Sequence, residues 1–157
     1  MKINYPYLPV GKTIEYVPEN DGFMRAAIRT RNEHSTDLNH PTGAVVVLDG
    51  KIIGWAANQS ALRNKKLLEL HKKGWCVRKL LKIPSGQRYW LCPGCASFRH
   101  HAEARAMKDA LTRAPSLTGA DMYLYGHWWC CKPCWSMMIK VGIKNVYLAE
   151  NATDLFK

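Results

Sequence analysis

Two short stretches, His100-His101-Ala102-Glu103 and Cys131-Lys132-Pro133-Cys134, restrict the fold of this chain more than anything else in its sequence. Residues two apart point to nearly opposite sides of a regular helix, so His101 and Glu103 can converge only where a helix is just beginning. The cysteine stretch also reads as a helix start, because Pro133 in a first turn forfeits no helical hydrogen bond. Thiolates there feel the positive end of the helix, which lowers their pKa and favours metal binding. A fold that uses both stretches must bring two helix N-termini to one point.

His101, Cys131 and Cys134 form a three-ligand set suited to Zn²⁺, and three ligands rather than four leave one coordination position open to water. Zinc lowers the pKa of such a water to about 7, and Glu103, which is not a ligand, is placed to take and return protons. A purely structural zinc would need a fourth protein ligand. Cys130 is the neighbour that could supply it, but adjacent cysteines rarely reach one metal together, so the spacing favours the catalytic reading.

At 157 residues the chain is long enough for one domain with a real core, and its 22% charged and 47% hydrophobic residues are those of a globular protein. No apolar run approaches the ~20 residues that span a bilayer. The first twenty residues carry prolines and charges where a signal peptide needs an apolar core. A cytoplasmic location and no membrane partner are expected. In a reducing compartment the six cysteines read as metal ligands or redox pairs. Cys76, Cys92 and Cys95, with His71 or His100, could form a second, structural zinc site; buried free cysteines are the alternative.

The net charge of +11 is unevenly placed, with nine Lys/Arg against the single acid Glu69 between Ala61 and Trp90. Such a segment attracts phosphates, although a solvated basic face is the plain alternative.

Along the chain, residues 1–20 read as an extended arm and Asp21 to Asn32 as a first helix. "GAVVVLDGKIIGWAAN" is two β-rich runs joined by Asp49-Gly50, a strong hairpin signal. Helix is expected from Ala61 to Lys72, with Ile83-Pro84-Ser85-Gly86 as a turn. His101 to Arg113 places Ala102, Ala106 and Ala110 on one stripe that can pack closely against a sheet. Residues 121–126 and 145–150 read as strands flanking a helix over 132–142, with Gly142 as its stop. That βαβ unit predicts parallel strands and a right-handed crossover.

The ligand pattern is close to the H-x-E … P-C-x-x-C signature of zinc-dependent nucleobase deaminases. The chain resembles the cytidine and deoxycytidylate deaminase superfamily, most closely its deoxycytidylate (dCMP-type) branch, from about Phe23 to Leu148. "TGAVVVLDGKIIGWAAN" is similar to that branch's first hairpin, and "CVRKLLKIPSGQRYWLCPGCASFRHHAEARAM" to the insertion before its HAE helix. "LYGHWWCCKPCWSMMIKVGIKNVYL" is similar to its strand, zinc-binding helix and next strand. The resemblance implies a three-layer α/β/α fold with a central mixed sheet, and a basic, cysteine-containing insertion over 61–100. It implies Zn²⁺ on His101, Cys131 and Cys134, Glu103 as proton shuttle, and contacts to the base from the Ala102 N–H and Asn58. An ordinary turn asparagine is the alternative for Asn58. The implied reaction is hydrolysis of a cytosine nucleotide, dCMP or a close analogue, to the uracil nucleotide and ammonia.

The chain departs from the family pattern in four places. Cys130 stands where the family usually has proline. His127-Trp128-Trp129 is bulkier than the usual threonine-containing stretch; its tryptophans read as core or pocket wall. The chain ends at Lys157, soon after a fourth strand, so part of the pocket wall would be missing or supplied by a neighbouring subunit of a homo-oligomer. Pro41-Thr42 replaces the family's basic residue before the Gly-Ala-Val run. Arg31, which with Arg29 precedes the hairpin, is therefore expected to carry part of the phosphate contact. Two other functions stay open: a deaminase acting on a base in RNA or single-stranded DNA, and a zinc-stabilised nucleic-acid-binding module. A binding module has no use for Glu103. A polynucleotide enzyme needs a continuous basic groove with exposed aromatics.

Overall fold

The computed structural model describes residues 3–84 and 87–157. Its centre is a five-stranded mixed sheet in the order β1 (Ile14–Val17), β5 (Asn145–Ala149), β4 (Asp121–Tyr125), β2 (Gly43–Leu48), β3 (Lys51–Ala57). Strands β2 (Gly43–Leu48) and β3 (Lys51–Ala57) form the expected hairpin. Asp49 and Gly50 turn it with φ of 49° and 72°, the pair of positive values that a tight turn matched to strand twist requires. β2 also pairs antiparallel with β4 (Asp121–Tyr125), and β4 runs parallel to β5 (Asn145–Ala149).

Helix α1 (Gly22–His34) is capped by Asp21, whose carboxylate accepts from the N–H groups of Phe23 and Met24 at 2.9 Å. Helices α4 (Ala102–Ala110) and α5 (Lys132–Val141) pack against each other, and α5 ends at Gly142 in the left-handed conformation. Two glycines show which helix covers which face. A Cβ on Gly43 would lie 2.3 Å from the Ala27 carbonyl of α1, whereas one on Gly54 would lie 2.5 Å from Ala110 of α4. Gly54 pairs with Val46, three residues along from Gly43 and hence on the opposite face. The sheet is sandwiched between α1 and α4, the α/β/α arrangement expected. Its core joins Val45, Val46, Met122 and Leu124 of the sheet to Met24, Ala106 and Met138 of the helices. None of the helices formed by the described residues is long and apolar enough to cross a membrane.

Part of the N-terminal arm joins the sheet. Ile14–Val17 forms β1 and pairs parallel with β5, Ile14 opposite Val146 and Val17 opposite Ala149. A four-residue strand among prolines leaves little local pattern, and its partner lies at the far end of the chain. The 61–72 helix is shorter than expected: Asn64 caps α2 (Lys65–Lys72) by accepting from the N–H groups of Lys66 and Leu67. Two further short helices, α3 (Val77–Leu80) and α6 (Ala152–Phe156), were not expected. The turn expected at Ile83-Pro84-Ser85-Gly86 lies partly outside the described residues, since 85 and 86 are not among them.

The edge strand β3 is tied to α4 by Asp109, which accepts the Trp55 N–H at 3.0 Å and pairs with Arg113 at 2.5 Å. Burial alone would raise the Asp109 carboxyl, but Arg113 and the Trp55 N–H together hold it below its ordinary value. A depressed folded-state pKa contributes stability above the unfolded value of about 3.9 and loses it as pH falls through the folded value. Asp109→Ala is expected to lower the unfolding free energy by about 1 kcal/mol at neutral pH, because the site is partly solvated. The deficit should shrink below about pH 4, as read from urea melts of both proteins across that range.

Candidate metal centre and active-site pocket

His101 and Cys131 occupy equivalent places, the residue before the first turn of α4 and of α5, with ψ of 152° and 156°. Neither side chain caps its own helix. Instead His101 Nδ1 lies 3.6 Å from Cys131 Sγ and 3.5 Å from Cys134 Sγ, and the three atoms form a group able to hold a metal ion. A tetrahedral zinc with bonds of ~2.3 Å to sulfur and ~2.05 Å to nitrogen sets such ligand atoms ~3.6 Å apart, so the donor set fits that ion. Cys130 is not in the group. Its buried thiol faces Glu103, and burial together with that carboxyl holds the thiol far above its ordinary pKa. The fourth ligand that a closed structural site would need is not supplied from there.

The two thiols are pushed in opposite directions: the hydrogen bond with Cys131, followed by burial, holds Cys134 well above its ordinary value. The hydrogen bond from Cys134, reinforced by His101, lowers the Cys131 thiol to about 4 against the opposing effect of burial. Burial works against a charged His101, but the hydrogen bond with Cys131, the nearby Glu103 and the Ala96 carbonyl outweigh it and raise the ring's pKa. Glu103 is 5% exposed, and burial raises its carboxyl despite the lowering influence of His101. Glu103 also lines the adjoining cavity, so its carboxyl faces the space a substrate would fill.

These residues open onto a cavity of about 750 Å³ that His101, Ala102, Glu103, Asn58 and Arg31 all help to line. That volume suits a nucleotide-sized ligand. Asn58 is more engaged than a free ligand contact would be. Its Oδ1 accepts from the Thr42 N–H at 2.9 Å and the Ser35 hydroxyl at 2.6 Å, and its Nδ2 donates to the His40 carbonyl at 2.8 Å. Both oxygen lone pairs are thus used, and one N–H is left to offer a ligand. Arg31 donates through Nε to the Pro41 carbonyl at 2.9 Å, and its guanidinium lies over the rings of Tyr125 and Phe156. Arg29 does not reach this cavity; it lines a separate hollow beside Trp55.

Trp128 and Trp129 are pocket wall, as one of their two readings had it. Leu155, Phe156 and Lys157 also line the cavity, so the wall expected to be missing after the last strand is partly formed by the chain itself. Sequence reasoning did not identify Tyr89, whose ring meets His101 edge-on at 5.5 Å, or His127, which burial lowers to about 4 and so keeps neutral. Nothing local marks Tyr89, since the insertion's path back to His101 is a tertiary matter.

Residues 18–150 match the family model described as the cytidine and deoxycytidylate deaminase zinc-binding region, and the chain belongs to that family. No curated protein matches it. Among solved structures it is similar to a diaminohydroxyphosphoribosylaminopyrimidine deaminase/5-amino-6-(5-phosphoribosylamino)uracil reductase from Thermotoga maritima, at 23% identity and a TM-score of 0.48. That match covers 80% of this chain and 28% of the other, so the chain spans little more than a quarter of that protein. The dCMP deaminase of the cyanophage S-TIM5 is 19% identical with a TM-score of 0.48, covering 85% of this chain and 86% of that one. The guanine deaminase of Bacillus subtilis is 19% identical with a TM-score of 0.47, covering 88% and 71%.

Proposed function

We propose that the chain hydrolyses the exocyclic amine of a cytosine nucleotide, dCMP or a close analogue, giving the uracil nucleotide and ammonia. The observation that carries this reading is the buried Glu103 carboxyl beside the His101, Cys131 and Cys134 donor set on the wall of a nucleotide-sized cavity. The donor set would hold zinc, which when bound supplies the Lewis acidity that activates water at neutral pH. Glu103 takes the proton of the attacking water and passes it to N3 of the ring as oxygen joins C4. It then takes the proton of the new C4 hydroxyl and delivers it to the 4-amino group, which leaves as ammonia as the C4 carbonyl forms. Asn58 has one N–H for a carbonyl or hydroxyl oxygen of the substrate, and the Ala102 N–H is a second donor at the uncapped start of α4. Arg31, at the Phe156 side of the cavity, is assigned the phosphate.

The test is ammonia release from cytidine, dCMP, dCTP, an adenine nucleotide and a deoxycytidine-containing oligonucleotide. Turnover of dCMP well above that of cytidine supports the assignment. Arg31→Ala should raise KM for dCMP by about tenfold, the loss of roughly one charge-assisted hydrogen bond, and leave cytidine unchanged. Equal turnover of nucleoside and nucleotide, insensitive to Arg31→Ala, would contradict it.

A second substrate class is favoured by one specific observation. Trp75 and Trp90 are 72% and 77% exposed on the basic insertion, among exposed lysines at 65, 66, 72, 73, 79 and 82. Exposed aromatics among cations suit a single nucleic-acid strand. Preference for the oligonucleotide over dCMP, falling steeply with salt, would establish that class instead.

A further inference from the structure

Four side chains of the insertion converge apart from the pocket's own donor set. His71 Nε2 and Cys76 Sγ each lie 3.6 Å from Cys95 Sγ. With Cys92, the four donor atoms all lie within 4.8 Å of one another. A tetrahedral zinc bound by three thiolates and one imidazole sets its ligand atoms ~3.6–3.8 Å apart. His100, the alternative histidine, is not in the group; its Nδ1 is 2.8 Å from the Ser97 hydroxyl. We propose that His71, Cys76, Cys92 and Cys95 bind a second, structural zinc that anchors the insertion and, through Ala96, fixes the orientation of His101.

The surroundings of the four residues support thiolates on a cation more than a set of neutral thiols. Arg78 is 8% exposed, and its Nη1 approaches Cys95 Sγ at 3.8 Å. Its Nε and Nη2 go to the neutral carbonyls of Gln87 and Pro84. Three thiolates on Zn²⁺ carry a net single negative charge, which a buried guanidinium beside one of the sulfurs offsets. Asn39 Nδ2 lies 2.8 Å from His71 Nδ1; turned end for end, the same amide offers its oxygen to the Nδ1–H of a ring that ligates through Nε2. The Cys-Pro-Gly-Cys turn fits closely around this ring. A Cβ on Gly94 would sit 2.3 Å from the imidazole, so the residue just before Cys95 must be glycine.

Two contacts carry the effect to the pocket. Cys95 leads directly to Ala96, whose carbonyl is a hydrogen-bond partner of His101 and whose N–H donates to Asp37 Oδ2 at 3.4 Å. The Arg78 guanidinium lies 3.9 Å from the centre of the Tyr89 ring, which in turn meets His101 edge-on. A zinc that holds Cys95 therefore holds the acceptor that orients the first site's histidine. Partners of this kind are typically worth about 10–100-fold in metal affinity.

Zinc analysis of the purified full chain should give two ions, and Cys92→Ser should give one. His101→Ala, which dismantles the first site, should keep one. Cobalt loaded into that variant should show thiolate charge-transfer absorption with the intensity of three Co–S bonds. In a chelator titration of Cys92→Ser, the first site's zinc should be lost at a chelator concentration about 10–100-fold lower than in the wild type. One zinc in the wild type, with Cys76, Cys92 and Cys95 alkylating rapidly in the native protein, overturns the site. Unchanged chelator sensitivity in Cys92→Ser overturns the link to His101. None of these readouts depends on which base is deaminated, so they stand or fall separately from the proposed reaction.

Discussion

Glu103→Gln should lower kcat by about 10³-fold or more while zinc content and folding stay nearly intact. The amide keeps the size and can still hydrogen-bond, but it cannot cycle a proton between water, N3 and the leaving amine. General acid–base catalysis by one residue is typically worth about 10²–10⁴-fold, and here one residue serves several transfers in succession. The structure makes a bypass by solvent difficult: Glu103 is 5% exposed, and its neighbours include the buried thiol of Cys130. Substrate affinity should change far less than kcat, because the interaction is made mainly in the transition state. Near-normal turnover of Glu103→Gln, measured with ammonia release and zinc analysis on the same preparation, would remove Glu103 from the mechanism.

The second large effect is that of His101→Ala, which should cost the first site its zinc and the protein part of its stability together. His101 and Cys131 start α4 and α5, and a ligand removed from between them loosens the link between two helices packed against each other. A metal that binds the native state stabilises it by mass action, about 4 kcal/mol when free zinc exceeds Kd a thousandfold. The variant should therefore melt lower than the wild type in zinc-containing buffer. The difference should narrow when both are melted in chelator. A variant that kept the first site's zinc would show that the ion is held elsewhere.

The contrast between these two substitutions separates chemistry from assembly. Glu103→Gln is read in kcat and His101→Ala in metal content and Tm, although the two residues lie only two positions apart. That separation follows from their places at the start of α4: His101 precedes the first turn and faces the α5 thiolates, while Glu103 lies within the turn and is buried against the cavity.

Local chemistry made much of this legible in the residues alone. A histidine and an acid two apart, and a proline between two cysteines, each make sense at a helix start. The structure places His101 before α4 and Cys131 before α5 accordingly. Asp49-Gly50 specified a hairpin through backbone preference, and Gly142 stopped a helix the same way. These signals are short-range, so a single chain carries them in full. What depended on distant partners was not written locally. Ile14–Val17 is a strand only because β5 offers it a free edge, and Arg31 is turned to Pro41, Tyr125 and Phe156 by residues far along the chain. The choice of His71 over His100 beside Cys76, Cys92 and Cys95 was likewise made by packing, since both histidines lie near cysteines in sequence. Ligand type and spacing can be read from the chain because they follow from each residue's own chemistry. Which side chains actually share a pocket is decided by tertiary packing, because it depends on how the sheet, its two helical layers and the insertion close around one another.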